Sequence, residues 1–196
     1  MSLKKMFSIM LLAGVSLSLH AGKTIDVILQ TGSSYTLAGF HEKEYGDIGN
    51  TTVEETEFMP GFYMNQLQLA LGKQLNESLY LGFMIGGWLR SDFSSYAVTN
   101  ASLYTKYALT GNNISPILTF QGGLFMEEFP DSYLGFVINP AVGVEMNRSQ
   151  GLPVHITIGY LLTFYDFGGT DPGNENYLND ESEQRHGISL TAGCSF

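Results

Sequence analysis

From about residue 24 onward, apolar and small polar residues exchange places at a period of two, the pattern of a strand with one greasy and one polar face. The clearest case closes the chain. In "HGISLTAGCSF", Ile188, Leu190, Ala192, Cys194 and Phe196 fall on one side and Gly187, Ser189, Thr191, Gly193 and Ser195 on the other. Earlier runs over about 24–38, 61–72, 78–90, 96–109, 116–126, 132–146 and 153–166 share the habit. Each is near the ten or so residues that a tilted strand needs to cross a bilayer. They predict an all-β chain of eight strands, with no long amphipathic helix and no solenoid repeat.

The connections alternate in length. "GKQLNES", "TGNNIS" and "NRSQGLP", after the second, fourth and sixth runs, are tight turn chemistry. "GFHEKEYGDIGNTTVEETEF" and "DFGGTDPGNENYLNDESEQ", after the first and seventh, read as long acidic loops. Strands running up and down put all the tight turns at one end and the long loops at the other. That asymmetry predicts an eight-stranded up-and-down antiparallel transmembrane barrel with both termini in the periplasm.

Alternation leaves open which face meets the surroundings, and composition decides it. A soluble barrel would show water a face rich in Lys, Glu, Arg and Asp. Here the polar face is mostly Gly, Ser, Thr, Gln and Asn, including Gln30, Gln68, Gly86, Gln121, Asn139, Thr157 and Thr191, as suits a crowded interior. The apolar face holds no charge, as expected where a midplane Arg or Lys would cost roughly 2–4 kcal/mol. Tyr35, Tyr63, Tyr107, Phe164 and Phe196 fall near strand ends, where an interfacial girdle belongs. The greasy face therefore points to lipid. Pro140, in mid-strand on that face, predicts a bulge, because a closed wall has no free edge for a residue without an N–H.

The first residues agree with export. A basic head with Lys4 and Lys5, an apolar run from Met6 to Leu19 and a small residue at Ala21 predict a signal peptide over 1–21, followed by the barrel domain over 22–196. Without the two lysines, net charge moves from -10 to about -12, which gives no electrostatic reason to bind nucleic acid. Cys194 is the only cysteine, so there is neither an internal disulfide nor a cysteine-rich metal site.

With its terminal alternating strand ending on Phe196, its signal peptide, its strand count and its loop asymmetry, the chain resembles the small eight-stranded outer-membrane proteins that include the OmpA transmembrane domain, OmpX and the opacity-type proteins. The resemblance implies a monomer in the outer membrane of a diderm bacterium, in contact with membrane lipid and lipopolysaccharide. It also implies recognition of the Phe196 strand by the barrel assembly machinery.

Some barrels of this size modify lipid A, which requires a nucleophile beside a base. His155 and Thr157 share an inward face next to a periplasmic turn, and His186 and Ser189 lie on opposite faces of one strand, so neither pair makes the His-x-Ser element of the deacylases. No enzyme and no cofactor are expected. On the polar face, Asp26, Lys106 and Glu145 sit near the periplasmic end and Arg90 and Glu127 near the other, as interior ion pairs or as an ion path. Eight strands enclose room for side chains and little else, which favours ion pairs. Phe62, Met64, Met84, Trp88 and Phe125 are inward apolar residues that either fill the lumen or line a recess for small apolar solutes, as in OmpW-like barrels. Glu42, Glu44, Asp47, Glu54, Glu55 and Glu57 in the first loop, with Asp166, Asp171, Glu175, Asp180, Glu181 and Glu183 in the last, suit weak Ca²⁺ or Mg²⁺ bridging. The favoured role is structural and surface-interacting, through these loops. A small channel or apolar-solute binder comes second and a lipid A-modifying enzyme third.

Overall fold

The computed structural model describes residues 25–46, 52–59, 61, 63–90, 97–128, 132–147, 151–166 and 178–196; side chains are described for all but 41–57, 59, 90, 97–98, 127–128, 132–133, 166 and 178–181. The expected signal peptide over 1–21 and Phe62 lie outside the described residues, as do the side chains of Arg90, Glu127 and all the acidic residues of the two expected loops except Glu183.

Nine strands make one antiparallel sheet: β1 (Asp26–Gly46), β2 (Thr52–Met59), β3 (Tyr63–Gln74), β4 (Leu79–Arg90), β5 (Ala97–Ala108), β6 (Ile114–Glu128), β7 (Ser132–Met146), β8 (Val154–Asp166) and β9 (Leu178–Ser195). β1 pairs with both β2 and β3, each strand from β3 to β8 pairs with the next, and β9 pairs back to β1, so the wall is closed. β2 and β3 pair with the same strand in one continuous register, Tyr35 opposite Tyr63 and Gly39 opposite Met59, and so form one wall strand in two pieces. The wall therefore counts eight. The last residue completes the closure: the Phe196 N–H donates to the Val27 carbonyl at 2.8 Å, and the Val27 N–H donates back at 3.3 Å.

Around the wall, pairing leads from Ile28 through Ala70, Met84, Ser102, Gly123, Val137, Thr163 and Arg185 back to β1 at Gly39, eleven residues further along, one of them the extra residue of a bulge between Thr36 and Ala38. Such a stagger tilts the strands and leaves a narrow interior. At the tight-turn end the Asn76 side chain caps two N–H groups, of Ser78 and Leu79, both at 2.9 Å. Asn147 (φ 61°) and Gly151 (φ 114°) supply the left-handed backbone of the "NRSQGLP" turn.

The apolar face points outward. Phe83, Leu103, Leu124, Val142, Ile158 and Leu190 are 50–62% exposed, whereas their polar alternates Gln30, Gln68, Ser102, Gln121, Thr157 and Thr191 are buried. One outer patch differs: Val27, Leu29, Leu67 and Leu69 pack with Leu71 and Cys194 and are screened from solvent. Inside, glycines make room for large partners. A Cβ on Gly135 would stand 2.1 Å from the Phe125 ring, and one on Gly193 would stand 2.5 Å from His155, each glycine lying directly opposite the residue it admits.

Two expectations are corrected. Among the described residues, parts of the acidic stretches expected as long loops are strand: β1 continues to Gly46, β2 begins within the first at Thr52, and β9 begins within the second at Leu178. Hydrophobic alternation is silent there because a strand that rises past the apolar band has no greasy face to maintain. Pro140 makes no bulge. Pairing of β7 with β8 lapses at Asn139 and Pro140 but resumes in unchanged register, Ile138 opposite Leu162 and Ala141 opposite Gly159. The missing N–H interrupts the ladder without inserting a residue.

Candidate functional site in the barrel interior

The interior is built in tiers. At the tight-turn end a cavity of about 570 Å³ is lined by Asp26, Gln74, Glu77, Tyr80, Lys106, Glu145, Ser195 and Phe196 among others. On its inner side Lys106 and Glu145, both almost fully buried, form a direct ion pair. The Lys106 ammonium also donates to Ser195 Oγ at 3.2 Å, so one side chain rooted on β5 touches β7 and β9. Asp26 stands apart from this pair. Its Oδ2 accepts from the Gln74 main-chain N–H at 2.6 Å.

Above lies a hydrogen-bonded layer. His155 Nε2 meets Gln30 Oε1 at 3.4 Å, and Gln30 donates to Gln68 Oε1 at 3.3 Å. The Thr157 and Thr191 hydroxyls are 2.6 Å apart, Gln121 donates to Ser102 at 3.2 Å, and Ser189 donates to Asn139 at 3.0 Å. His155 is thus an interior hydrogen-bonding residue. Ser189 is committed to the lumen, while His186 on the outer face contacts the Tyr160 hydroxyl, so these two residues form no hydrolytic pair. Gln66 Nε2, Gln68 Nε2, Trp88 Nε1 and both polar atoms of the Asn100 amide find no protein partner among the described residues, a composition that calls for buried water.

The inward apolar residues separate into two clusters. Met84 packs low, with Ile28, Ala70, Tyr80 and Tyr104. Met64, Trp88 and Phe125 pack higher, with Val137, Leu161 and Tyr165, all no more than 4% exposed. Phe125 bridges its neighbours, with ring centroids 5.6 Å from Trp88 and 4.7 Å from Tyr165. Directly above, the Arg185 guanidinium lies 5.0 Å over the Tyr165 ring and pairs with Glu183. In the sequence Glu183 falls in a stretch that reads as loop, and Arg185 beside it carries no signal of its own. Extending the alternation of β9 two steps upstream from Gly187 would have put both on the inward face.

Comparison with solved structures gives the same picture. The outer membrane protein OprG from Pseudomonas aeruginosa aligns over 89% of this chain and 97% of its own, at TM-score 0.52 and 10% identity. The fold is that of a small outer-membrane β-barrel. Neisserial surface protein A also aligns, over 84% of this chain and 96% of its own (TM-score 0.40, 10% identity), as does the outer membrane protease OmpT from Escherichia coli, over 88% and 96% (TM-score 0.40, 11% identity). No family model and no curated protein sequence matches.

Proposed function

We propose that this barrel resides in a bacterial outer membrane with both termini in the periplasm, and serves as a closed pedestal whose acidic strand extensions meet the cell's surroundings. The observation that carries this reading is the aromatic tier of Trp88, Phe125 and Tyr165, which packs with Met64, Val137 and Leu161 into one buried cluster inside the barrel. A barrel obstructed in this way offers no open conduit, and among the described residues the β9–β1–β2 extension is what rises beyond the wall. Membrane lipid and lipopolysaccharide are the partners of the outer face. Phe196, bonded through its main chain to Val27 at the closing seam, is the residue for the assembly machinery to engage. Divalent cations bridge the acidic extension weakly to neighbouring lipopolysaccharide.

Planar-bilayer recording tests the reading. The wild-type protein is expected to show no steady conductance, and Lys106→Met is expected to leave that unchanged. Steady conductance that shifts on that substitution would establish a channel instead. Mass spectrometry of lipid A from cells with and without the protein is expected to show one acyl pattern. A difference between the two would replace the pedestal with an enzyme.

A further inference from the structure

We propose that the outer face of β6 to β9 carries a binding groove, centred on Pro140, for an acyl chain of lipid A. This rests on the outer-membrane reading above. The groove, about 480 Å³, runs between two rows of side chains: Leu118, Val142 and Ile158 on one flank, Pro140, Tyr160 and Ile188 on the other. Its floor is the main chain of Ala141 and Gly159, positions that alternate toward the lumen. The groove exists because the compact proline ring takes the place of a longer outward side chain where pairing with β8 lapses.

Its direction matters. Rows of paired residues climb toward the loop end as they pass from β6 to β9, since the row begun at Ile28 re-enters β1 eleven residues nearer that end. The Ile188 end is therefore the upper one, and there the groove meets polar groups. The Tyr160 hydroxyl contacts His186 Nδ1, and the Gln184 amide lies 3.0 Å from His186 Nε2. His186 stands ten residues up the strand from Phe196, a climb of ~25 Å at ~3.3 Å per residue and ~40° tilt, which is about the height of the apolar band. An apolar trough that rises to a hydroxyl and an amide at the outer boundary suits a chain whose carbonyl linkage is uppermost. In the outer leaflet of such a membrane that chain belongs to lipid A. Ser189 is turned into the lumen, away from His186 and the groove.

Native mass spectrometry of the refolded mature protein in detergent, offered lipid A or dipalmitoylphosphatidylglycerol at equal concentration, tests the site. One lipid A is expected to stay bound as detergent is stripped, with at least about a tenfold preference over the phospholipid. Ile158→Trp, which fills the groove from one flank, and Pro140→Leu, which fills it from the other, are each expected to abolish that retention. Tyr160→Phe with His186→Leu is expected to weaken it. Equal retention of both lipids, or unchanged retention in the filled variants, overturns the proposal. Heat-modifiable gel migration reports folding, and either filled variant suffices if the other fails to fold. A protein that enters bilayers yet keeps no lipid A defeats this inference alone; one that never enters them defeats the membrane reading.

Discussion

Lys106 and Glu145 are each about 95% buried or more and pair directly. Removing one partner of such a pair strands a charge where water is scarce, a cost of about 3–5 kcal/mol, whereas replacing both by apolar groups of like volume is near neutral. Lys106→Met is expected to lower the urea midpoint of the refolded barrel by about that much stability, and Lys106→Met with Glu145→Leu to recover most of it. Equal losses in the single and double variants would show that the pair does not couple. Both residues were legible in the sequence because they fall in phase with Gly, Ser and Gln on a face where exposed charges would be out of place. The expected ion pairing at the periplasmic end grouped Lys106 with Asp26 and Glu145, but alternation says which face a side chain takes and nothing about which strand stands across the lumen, so it did not say which of the two carboxylates the lysine meets. A second residue-scale test uses the space opposite Phe125. A Cβ at Gly135 would collide with that ring, so Gly135→Val is expected to cost about 1–3 kcal/mol by overpacking, read from the same unfolding curves.

Elements repeat the lesson at larger size. The wall strands could be counted from the sequence because lipid outside and packing inside impose opposite demands on alternate residues. Where only one demand operates the signal fades. Glu42 opposite Ser182, Glu44 opposite Asp180 and Lys43 opposite Glu55 are strand pairs, yet these residue types read as loop. β2 is the sheet's terminal strand, paired on one side among the described residues, and its segment "TVEETEFM" carries the charges that discourage edge-to-edge addition. This extension is separable from the wall. Replacing residues 41–57 by a two-residue Asn-Gly turn between the paired Phe40 and Phe58 is expected to leave a barrel that still refolds and shifts with heat on a gel, because the replaced pairs lie beyond the tiers that fill the lumen. Failure to refold would make the extension part of the folding unit. Pro140 illustrates the reverse error: the rule that proline belongs at bulges is statistical, and here one missing N–H cost a ladder contact rather than a register.

For the molecule as a whole, the decisive property is that the outer face is greasier than the inside, yet the inside is closed. Trp88 is the only tryptophan in the chain and stands in the tier that does the closing, 1% exposed and stacked near Phe125. Its fluorescence therefore reports both sides of the wall at once. In vesicles, aqueous iodide is expected to leave the emission nearly unquenched, because the aromatic and methionine side chains around the indole exclude a hydrated ion. Brominated acyl chains are expected to quench it weakly as well, because the backbone wall separates the indole from lipid. Phe125→Ala with Tyr165→Ala removes two of the rings, and iodide quenching and steady conductance are expected to appear together in that variant. Strong iodide quenching of the wild type would mean a wetted lumen and move the function toward a conduit. Strong bromolipid quenching would place Trp88 on the outer face, and the assignment of every alternating position would reverse with it.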